Sequence, residues 1–161
     1  MRSVLEPESR ALDCADAAAS YVQSLFAGSS ATVNLMDYEL RLYHTITNVG
    51  ELSVGEQHHP QGEYYSFDAF PATTQQLMRG AAYCASLLDL DCPPEHRAIL
   101  ESHGKDSCMG APIRSNGRPL GEIWVTRMGG SPFTDNDVDL AVACGATLAR
   151  HLVRLPPIFA G

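Results

Sequence analysis

Two strand-like segments joined by an Asn-Gly pair constrain the fold of this chain more than any other part of its sequence. Residues 107–113 and 117–127 have the length and apolar content of β-strands. Asn116 and Gly117 lie at their junction, and this pair favours the positive φ angles of a tight hairpin turn. The sequence therefore predicts an antiparallel hairpin here. A second hairpin is predicted over residues 32–47.

Apolar residues at helical spacing lie near both ends of the chain. From Pro7 to Gly28 the apolar positions advance by three or four residues, which is the period of one helix face. Thr134 can cap a second helix with Asp137 as its partner in a variant capping box, and Pro156 follows as a stop signal. Small residues on both apolar faces predict that these terminal helices pack closely.

The middle of the chain carries weaker signals. Residues 48–66 are predicted to form a loop, residues 71–79 and 93–104 short helices, and residues 81–86 a third strand. This order of elements predicts an α+β domain with an antiparallel sheet of five to six strands. The terminal helices pack together on one face of that sheet, and the loops and short helices form a pocket on the other.

Length and composition fit one domain. Residues 1–161 are interpreted as a single unit, with a core at about residues 10–153 and a short tail or the start of a linker at 154–161. The net charge of −8, with 11 Lys and Arg residues, argues against binding to nucleic acid. No apolar run approaches the ~20 residues of a membrane span, and the N-terminus has no signal-peptide core. We therefore expect a cytoplasmic protein without a membrane partner.

The cysteine and histidine patterns give no strong metal signature. There are five cysteines, widely spaced, and neither CxxC nor HExxH occurs. His58 and His59 lie in a polar loop where they could take up a metal ion incidentally. The other possible group consists of Cys92, His96, His103 and Cys108. Its two histidines would be about 10 Å apart along a helix, which is too far for them to share one ion. We therefore expect neither a bound metal nor a cofactor.

Three motifs in the second half of the chain resemble those of GAF domains. They are Pro-Ile at 112–113 ending a strand, Gly-Glu-Ile at 121–123 beginning the next, and Phe-Thr-Asp-Asn-Asp at 133–137 starting a helix. Residues 65–73 resemble the pocket-side segment of GAF domains attached to bacterial signalling enzymes. The resemblance covers roughly residues 10–153 and implies a GAF/PAS-like fold.

The resemblance implies a sensory module but not its ligand. GAF domains bind cyclic nucleotides, tetrapyrroles, amino acids, small metabolites or nothing. The Asn-Lys-x-Phe-Asp-Glu signature of cyclic-nucleotide GAF domains and the Cys-His pair of bilin-binding GAF domains are both missing from this sequence. Heme would need a pocket histidine, for which His44, His96 and His103 are the candidates, although a lone histidine is usually structural or exposed.

Side-chain alternation in the strands identifies the pocket face. Val33 and Leu35 point to one side of the first predicted strand, whereas Asn34 and Met36 point to the other. The aliphatic sides suit burial under the terminal helices, and the mixed polar and aromatic sides suit a cavity wall. The candidate ligand-binding residues belong to the mixed face or to the segments expected to cover it: Asn34, Met36, Tyr43, Phe67, Phe70, Cys84, Asp89, Cys108, Glu122 and Trp124.

Glu122 is the most informative of these candidates. A carboxylate on the face of a sheet is costly to bury without a partner. It therefore pairs with Arg41 or Lys105, or receives a cationic or hydrogen-bond-donating ligand, or faces solvent. Trp124 beside it either packs or provides a stacking surface for a ligand.

The resemblance also brings in one enzyme, the free methionine-R-sulfoxide reductase, which uses three cysteines. Cys84, Cys92 and Cys108 would be their counterparts here. Such chemistry needs a thiolate and a second cysteine within disulfide reach. The Gly-x-Cys-Gly and His-Ile-Ala-Cys-Asp segments of that enzyme are absent from this chain, so no catalytic residues are assigned.

Three hypotheses follow in order of preference. The first is a non-catalytic sensory domain that binds an unknown small molecule between the sheet and the residue 48–106 region and signals through its terminal helices, as a homodimer and with a fused or separate output domain. The second is a dimerisation or docking module without a ligand, in which Leu140, Cys144, Thr147 and His151 contact the partner. The third is the thiol reductase.

Overall fold

The structure, a computed structural model, describes residues 6–153. The predicted tail at 154–161 and the stop at Pro156 lie outside this range. The elements follow one another along the chain as α1 (Glu6–Leu25), β1 (Ser30–Asp37), β2 (Leu42–Gly50), β3 (Tyr64–Ser66), a short 3-10 turn (Phe67–Ala69), α2 (Pro71–Met78), β4 (Tyr83–Ser86), α3 (Pro94–His103), β5 (Ser107–Ser115), β6 (Arg118–Arg127) and α4 (Asp135–Leu152).

Six antiparallel strands form one sheet in the order β3-β2-β1-β6-β5-β4. The two predicted hairpins are its halves, and they join where β1 pairs with β6. This arrangement confirms the predicted α+β fold with five to six antiparallel strands. The loop predicted over residues 48–66 is partly wrong, because β2 continues to Gly50 and residues 64–66 form β3. A strand of three residues is too short to show a period of its own.

The β5–β6 turn is built as predicted. Asn116 and Gly117 both take positive φ angles, 49° and 79°, and Ser115 pairs with Arg118 across the turn. Asn and Gly tolerate this region of backbone space better than other residues do. The local sequence is therefore sufficient to set the position of this hairpin.

Helix α4 starts with the predicted capping box. The Thr134 hydroxyl accepts a hydrogen bond from the Asp137 N–H at 3.3 Å, and the Asp137 carboxylate accepts one from the Thr134 N–H at 2.7 Å. Helix α1 ends at Leu25 rather than at Gly28, since Ala27 is the residue that takes the positive φ angle, 48°. Within residues 6–153 none of the helices is long and apolar enough to cross a membrane.

Both terminal helices pack against the same face of the sheet, as predicted. Gly145 allows the close approach of α4, because a Cβ atom there would lie 2.3 Å from the carbonyl oxygen of Pro112. The core between helices and sheet is formed by small and aliphatic side chains, including Ala15, Ala19, Val22, Val33, Ile123, Val125, Ala141 and Leu148. The opposite face of the sheet is left to α2, α3 and the segment between β2 and β3.

Candidate functional site

A cavity lies on the face of the sheet opposite the terminal helices. Its volume, taken as the space open to the centre of a water molecule, is about 40 Å³. The strands, α2, α3 and the residue 51–63 segment all contribute to its wall, through Thr32, Asn34, Tyr43, Glu56, Glu63, Tyr65, Phe70, Thr73, Tyr83, His96, Ile99, His103, Glu122 and Trp124.

The register of the two central strands places the polar side chains of the cavity floor. Asn34 of β1 pairs with Glu122 of β6, and Thr32 pairs with Trp124. Because successive side chains of a strand point to opposite faces, the residues between them face the helices. Val33, for example, is fully buried in the helix-covered core. One pair of strands therefore presents an aliphatic face and a polar face.

Glu122 is buried in the cavity floor and has two neutral hydrogen-bond donors. Its carboxylate accepts one hydrogen bond from the Asn34 side-chain amide at 3.1 Å and another from the Tyr83 hydroxyl at 2.8 Å. Burial raises the pKa of Glu122 above its ordinary value, and the two hydrogen bonds lower it only in part. A carboxyl group in this position is stabilised by its proton or by an added positive charge.

The predicted pairing of Glu122 with Arg41 or Lys105 is wrong. Arg41 lies in the β1–β2 turn and forms an exposed ion pair with Asp68 at 2.7 Å. Lys105 directs its amine away from the cavity to Glu51, at 3.6 Å from the carboxylate. Both cations come from segments beyond the ends of the central strands, and each meets an acidic residue there.

A hydrogen-bonded network joins Glu122 to a second carboxylate, Glu63. Thr45 bridges them, since its hydroxyl oxygen lies 2.8 Å from Oδ1 of Asn34 and 3.2 Å from Oε1 of Glu63. The Tyr65 hydroxyl donates to Oε1 of Glu63 at 2.7 Å. The other oxygen of Glu63 accepts a bond from Asn48, at 3.1 Å. The network thus crosses from β6 to the loop beside β2.

Aromatic rings and histidines form the rest of the wall. The Tyr83 ring stacks on His96 with 4.9 Å between ring centroids, and Gly110 gives Tyr83 its room, since a Cβ atom there would lie 2.3 Å from the ring. Nε2 of His96 is 2.6 Å from the Thr73 hydroxyl, and its buried Nδ1 has no hydrogen-bond partner within residues 6–153. Burial lowers the pKa of His96, which favours the neutral imidazole.

The charge of the cavity is acidic. Glu56, Glu63 and Glu122 line it, and neither Lys nor Arg does within the described part of the chain. Buried carboxylates next to aromatic faces attract cations, both by direct charge interaction and through the ring quadrupole.

Five of the ten sequence-predicted residues line the cavity, namely Asn34, Tyr43, Phe70, Glu122 and Trp124. Met36 and Phe67 pack instead in a small apolar cluster with Leu77, and Asp89 is exposed in the turn after β4. Cys108 is buried in the cluster that contains Trp124 and does not reach the cavity.

The prediction of Cys84 as a ligand-binding residue differs from the structure, because Cys84 faces away from the cavity. Tyr83 points into the cavity, so Cys84 points to the helix-covered side, where its cross-strand partner Met109 belongs to the helix-covered core. The aspartates of the α4 N-terminus are near Cys84. The prediction had the strand but could not choose between its two faces.

Several lining residues were not among the ten predicted ligand-binding residues, although His96 and His103 were considered as heme ligands. His96, Ile99 and His103 are spaced by three and four residues along α3, which is one face of a helix. Tyr83 and Glu63 carry no comparable signal, because each comes from a short strand or a loop.

The sheet separates Cys84 from Cys108, and burial disfavours the thiolate form of all three cysteines. Cys84 and Cys108 lie on opposite faces of the sheet, and all five cysteines of the chain are free. Burial raises the pKa of Cys84 to about 11 and that of Cys108 to about 12. The pKa of Cys92 is also raised by burial. These thiols therefore hold their protons at neutral pH, whereas a nucleophilic cysteine needs the thiolate.

A shallow groove runs between α1 and α4 on the outside of the molecule. Three of its large apolar residues are exposed, Tyr21 at 60%, Leu140 at 43% and Leu25 at 42%, whereas Leu148 at its base is buried. All four residues proposed for partner contact belong to it. The groove is lined by Cys14, Ala17, Ala18, Tyr21, Leu25, Leu140, Ala143, Cys144, Thr147, Leu148 and His151.

The sequence model of the GAF domain family matches residues 10–152, so the chain belongs to the GAF domain family. The order of its elements, the antiparallel sheet and the cavity opposite the terminal helices agree with this assignment. GAF domains of this fold serve as sensory, ligand-binding or chromophore-binding units in signalling proteins. The sequence has no match among curated proteins.

Solved structures of similar fold come from signalling proteins. The GAF domain of Thermosynechococcus elongatus PixJ, in its blue-light absorbing form, is 12% identical with a TM-score of 0.73, and the match covers 96% of this chain and 90% of that one. The GAF domain/HD domain protein of Geobacter sulfurreducens is 12% identical with a TM-score of 0.69, covering 89% and 92%. The chromophore-binding domain of Stigmatella aurantiaca bacteriophytochrome is 15% identical with a TM-score of 0.68, covering 95% and 55%.

Proposed function

We propose that this GAF domain is a non-catalytic sensory domain of the cytoplasm that binds a small cationic molecule in the acidic cavity. The observation that carries the proposal is the environment of Glu122, a buried carboxyl group with two neutral donors and no cationic partner among the described residues. Leaving a charge buried without a counter-charge is costly. A ligand that brings a positive charge or several N–H donors removes that cost.

The walls restrict the ligand further. Aromatic side chains take up much of the cavity, among them Tyr43, Tyr65, Tyr83 and Trp124. A primary amine, a quaternary ammonium or a guanidinium compound with a small apolar body fits both the carboxylates and the rings. Anionic ligands are disfavoured, because Glu56, Glu63 and Glu122 would repel them.

The signal is proposed to pass through the central strands to the terminal helices. Asn34 and Glu122 face the cavity, while Val33 and Ile123, one residue along each strand, pack under α1 and α4. A ligand that shifts β1 against β6 therefore changes the packing of the helices. Such a response requires that the ligand bind the two arrangements with different affinities. The helices would pass the change to a fused or separate output domain.

The helix groove supports homodimerisation as the second part of this function. Its exposed apolar residues lie on both terminal helices, including Tyr21 and Leu140, and a second copy could cover them in a symmetric contact. If the cavity proves to bind nothing, dimerisation through this groove is the function that remains.

The test is a comparison of ligand classes on the purified protein. Native mass spectrometry gives the oligomeric state and the mass of any retained ligand, and thermal-shift assays compare a set of small amines with a set of carboxylates of similar size. We expect amines to stabilise the protein and carboxylates to have no effect.

Two matched variants make the test specific to the cavity. Glu122→Gln keeps the shape of the side chain and should weaken amine binding at least about tenfold. Glu101→Gln removes the same charge from an exposed position of α3 and should leave binding unchanged. Stabilisation by carboxylates alone, or equal amine affinity in both variants and the wild type, would refute a cation-binding cavity.

A further inference from the structure

Two adjacent histidines and an aspartate meet on the outside of the molecule, away from the cavity. Nε2 of His58 lies 3.3 Å from one oxygen of Asp16, and Nε2 of His59 lies 2.8 Å from the other. The two imidazole rings stack with 4.0 Å between their centroids. The two nitrogens and a carboxylate oxygen therefore lie within 4.8 Å of one another.

This set of atoms has the chemistry of a transition-metal site. Zn²⁺ binds imidazole nitrogen and carboxylate oxygen at about 2.0–2.2 Å, and three protein ligands leave its fourth position to water or another molecule. Tetrahedral ligands at these lengths stand about 3.3 Å apart, so the widest separation, at most 4.8 Å, has to close by up to about 1.5 Å. Two of the three side chains belong to exposed residues of a loop, which can move that far.

The third candidate ligand, Asp16, is held in place by a hydrogen bond from the sheet. Asp16 is half-buried on α1, and its carboxylate accepts a hydrogen bond from the hydroxyl of Thr47, a fully buried residue of β2. A partner of this kind orients a metal-binding carboxylate and strengthens the site.

The loop is also fixed to β2 next to the histidines. The backbone N–H of Asn48 donates to the His58 carbonyl at 2.8 Å, and its side-chain amide donates to the Gln57 carbonyl at 3.0 Å. The backbone of the histidine pair is therefore positioned by the same strand that positions Asp16.

We propose that Asp16, His58 and His59 bind one divalent transition-metal ion, with Zn²⁺ the best match to the two nitrogens and one oxygen. The ion would fasten the residue 51–63 segment to α1. That segment also carries Glu56 and Glu63 of the cavity wall. Metal binding would therefore hold one wall of the cavity against a terminal helix. The proposal concerns a separate site and stands whether or not the cavity binds a cation.

The first test measures binding of zinc by calorimetry to the full chain, freed of any affinity tag and treated with a chelator. We expect one ion per chain, and affinity reduced at least about tenfold in each of His58→Asn, His59→Asn and Asp16→Asn. Asp139→Asn removes an exposed carboxylate from α4, outside the groove and the cavity, and should leave the affinity unchanged. Far-ultraviolet circular dichroism checks that each variant is folded.

The second test asks whether the ion joins the loop to the helix. Hydrogen exchange followed by mass spectrometry should show slower exchange of the residue 51–63 amides in zinc, in the wild type but not in the His58→Asn/His59→Asn double variant. Two results would overturn the proposal: zinc affinity that the substitutions do not change, or zinc uptake that leaves exchange in this segment as it was. The double variant changes only two exposed side chains, so we expect it to fold, and a lack of response to zinc then reports the loss of the site.

Discussion

The two faces of the sheet bury side chains of different chemistry, although they share the same strands. On the helix side, Val33 and Ile123 meet mainly small and aliphatic residues of α1 and α4, and Thr47, the neighbour of Val33 on β2, adds one hydrogen bond to Asp16 of α1. On the cavity side, Asn34 and Glu122 belong to a hydrogen-bonded network that reaches Glu63. The helix side supplies most of the hydrophobic stabilisation, and the cavity side supplies groups that a ligand can complete.

The largest expected difference between the two faces is in how much the free energy of unfolding falls when an isoleucine is replaced by alanine. Ile123 is fully buried under the helices, whereas Ile99 is half-buried at the cavity wall. We expect Ile123→Ala to lower the free energy of unfolding by about 2–5 kcal/mol and Ile99→Ala by about 1 kcal/mol. Urea denaturation followed by circular dichroism measures both. Equal losses would mean that the cavity side packs as tightly as the core.

The next comparison concerns Glu122 and pH. Burial raises its pKa, so the folded protein binds this proton more tightly than the unfolded chain does. The stabilisation is present below the ordinary carboxyl pKa and is lost as the pH rises through the raised pKa. Without ligand, Glu122→Gln should therefore be more stable than the wild type at neutral pH, by about 1 kcal/mol, and the gain should vanish in acid.

Urea denaturation of both proteins at several pH values between 4 and 8 measures this effect. Glu101→Gln is the control, since loss of an exposed carboxylate should change stability by less than about 0.5 kcal/mol at any pH. A Glu122→Gln protein less stable than the wild type at neutral pH would show that the two donors, Asn34 and Tyr83, satisfy the ionised carboxylate fully.

The smallest change in stability is expected at the helix groove. Thr147→Glu places a charge in the groove, and Ala146→Glu places the same charge on an exposed part of α4 outside it. Both should alter the free energy of unfolding by less than about 0.5 kcal/mol. Light scattering after size exclusion should show a dimer for the wild type and Ala146→Glu, and a monomer for Thr147→Glu. A monomeric wild type would remove the groove from the proposed function.

The strands and their faces could be predicted where the strand is long enough to show its alternation of side chains. β1 and β6 have eight and ten residues, enough to show which side chains share a face. The prediction therefore placed Asn34, Glu122 and Trp124 on the cavity side and Val33 under the helices. β4 has four residues, and so short an alternation fits either face, so the sequence did not show that Tyr83 faces the cavity and Cys84 does not.

The rest of the cavity is formed by parts of the chain that show neither helical nor strand periodicity in their apolar residues. Glu63 and Tyr65 reach the cavity because residues 51–63 fold back over β2, a path that turn and loop residues do not specify. The partners of Glu122 were also missed. A cation was predicted, but in the folded chain Arg41 pairs with Asp68 instead.

The two hairpins, the capping box of α4, the amphipathic helices and the separation of aliphatic from polar strand faces could all be read from the sequence. These features arise from contacts between residues that are near each other in the chain, where spacing and turn chemistry act directly. The contacts of Glu122 with Tyr83 and Asn34, without a cation from the described residues, and those of His58 and His59 with Asp16 depend on tertiary packing. Those contacts join segments 39 to 88 residues apart, and their geometry depends on how the whole chain packs.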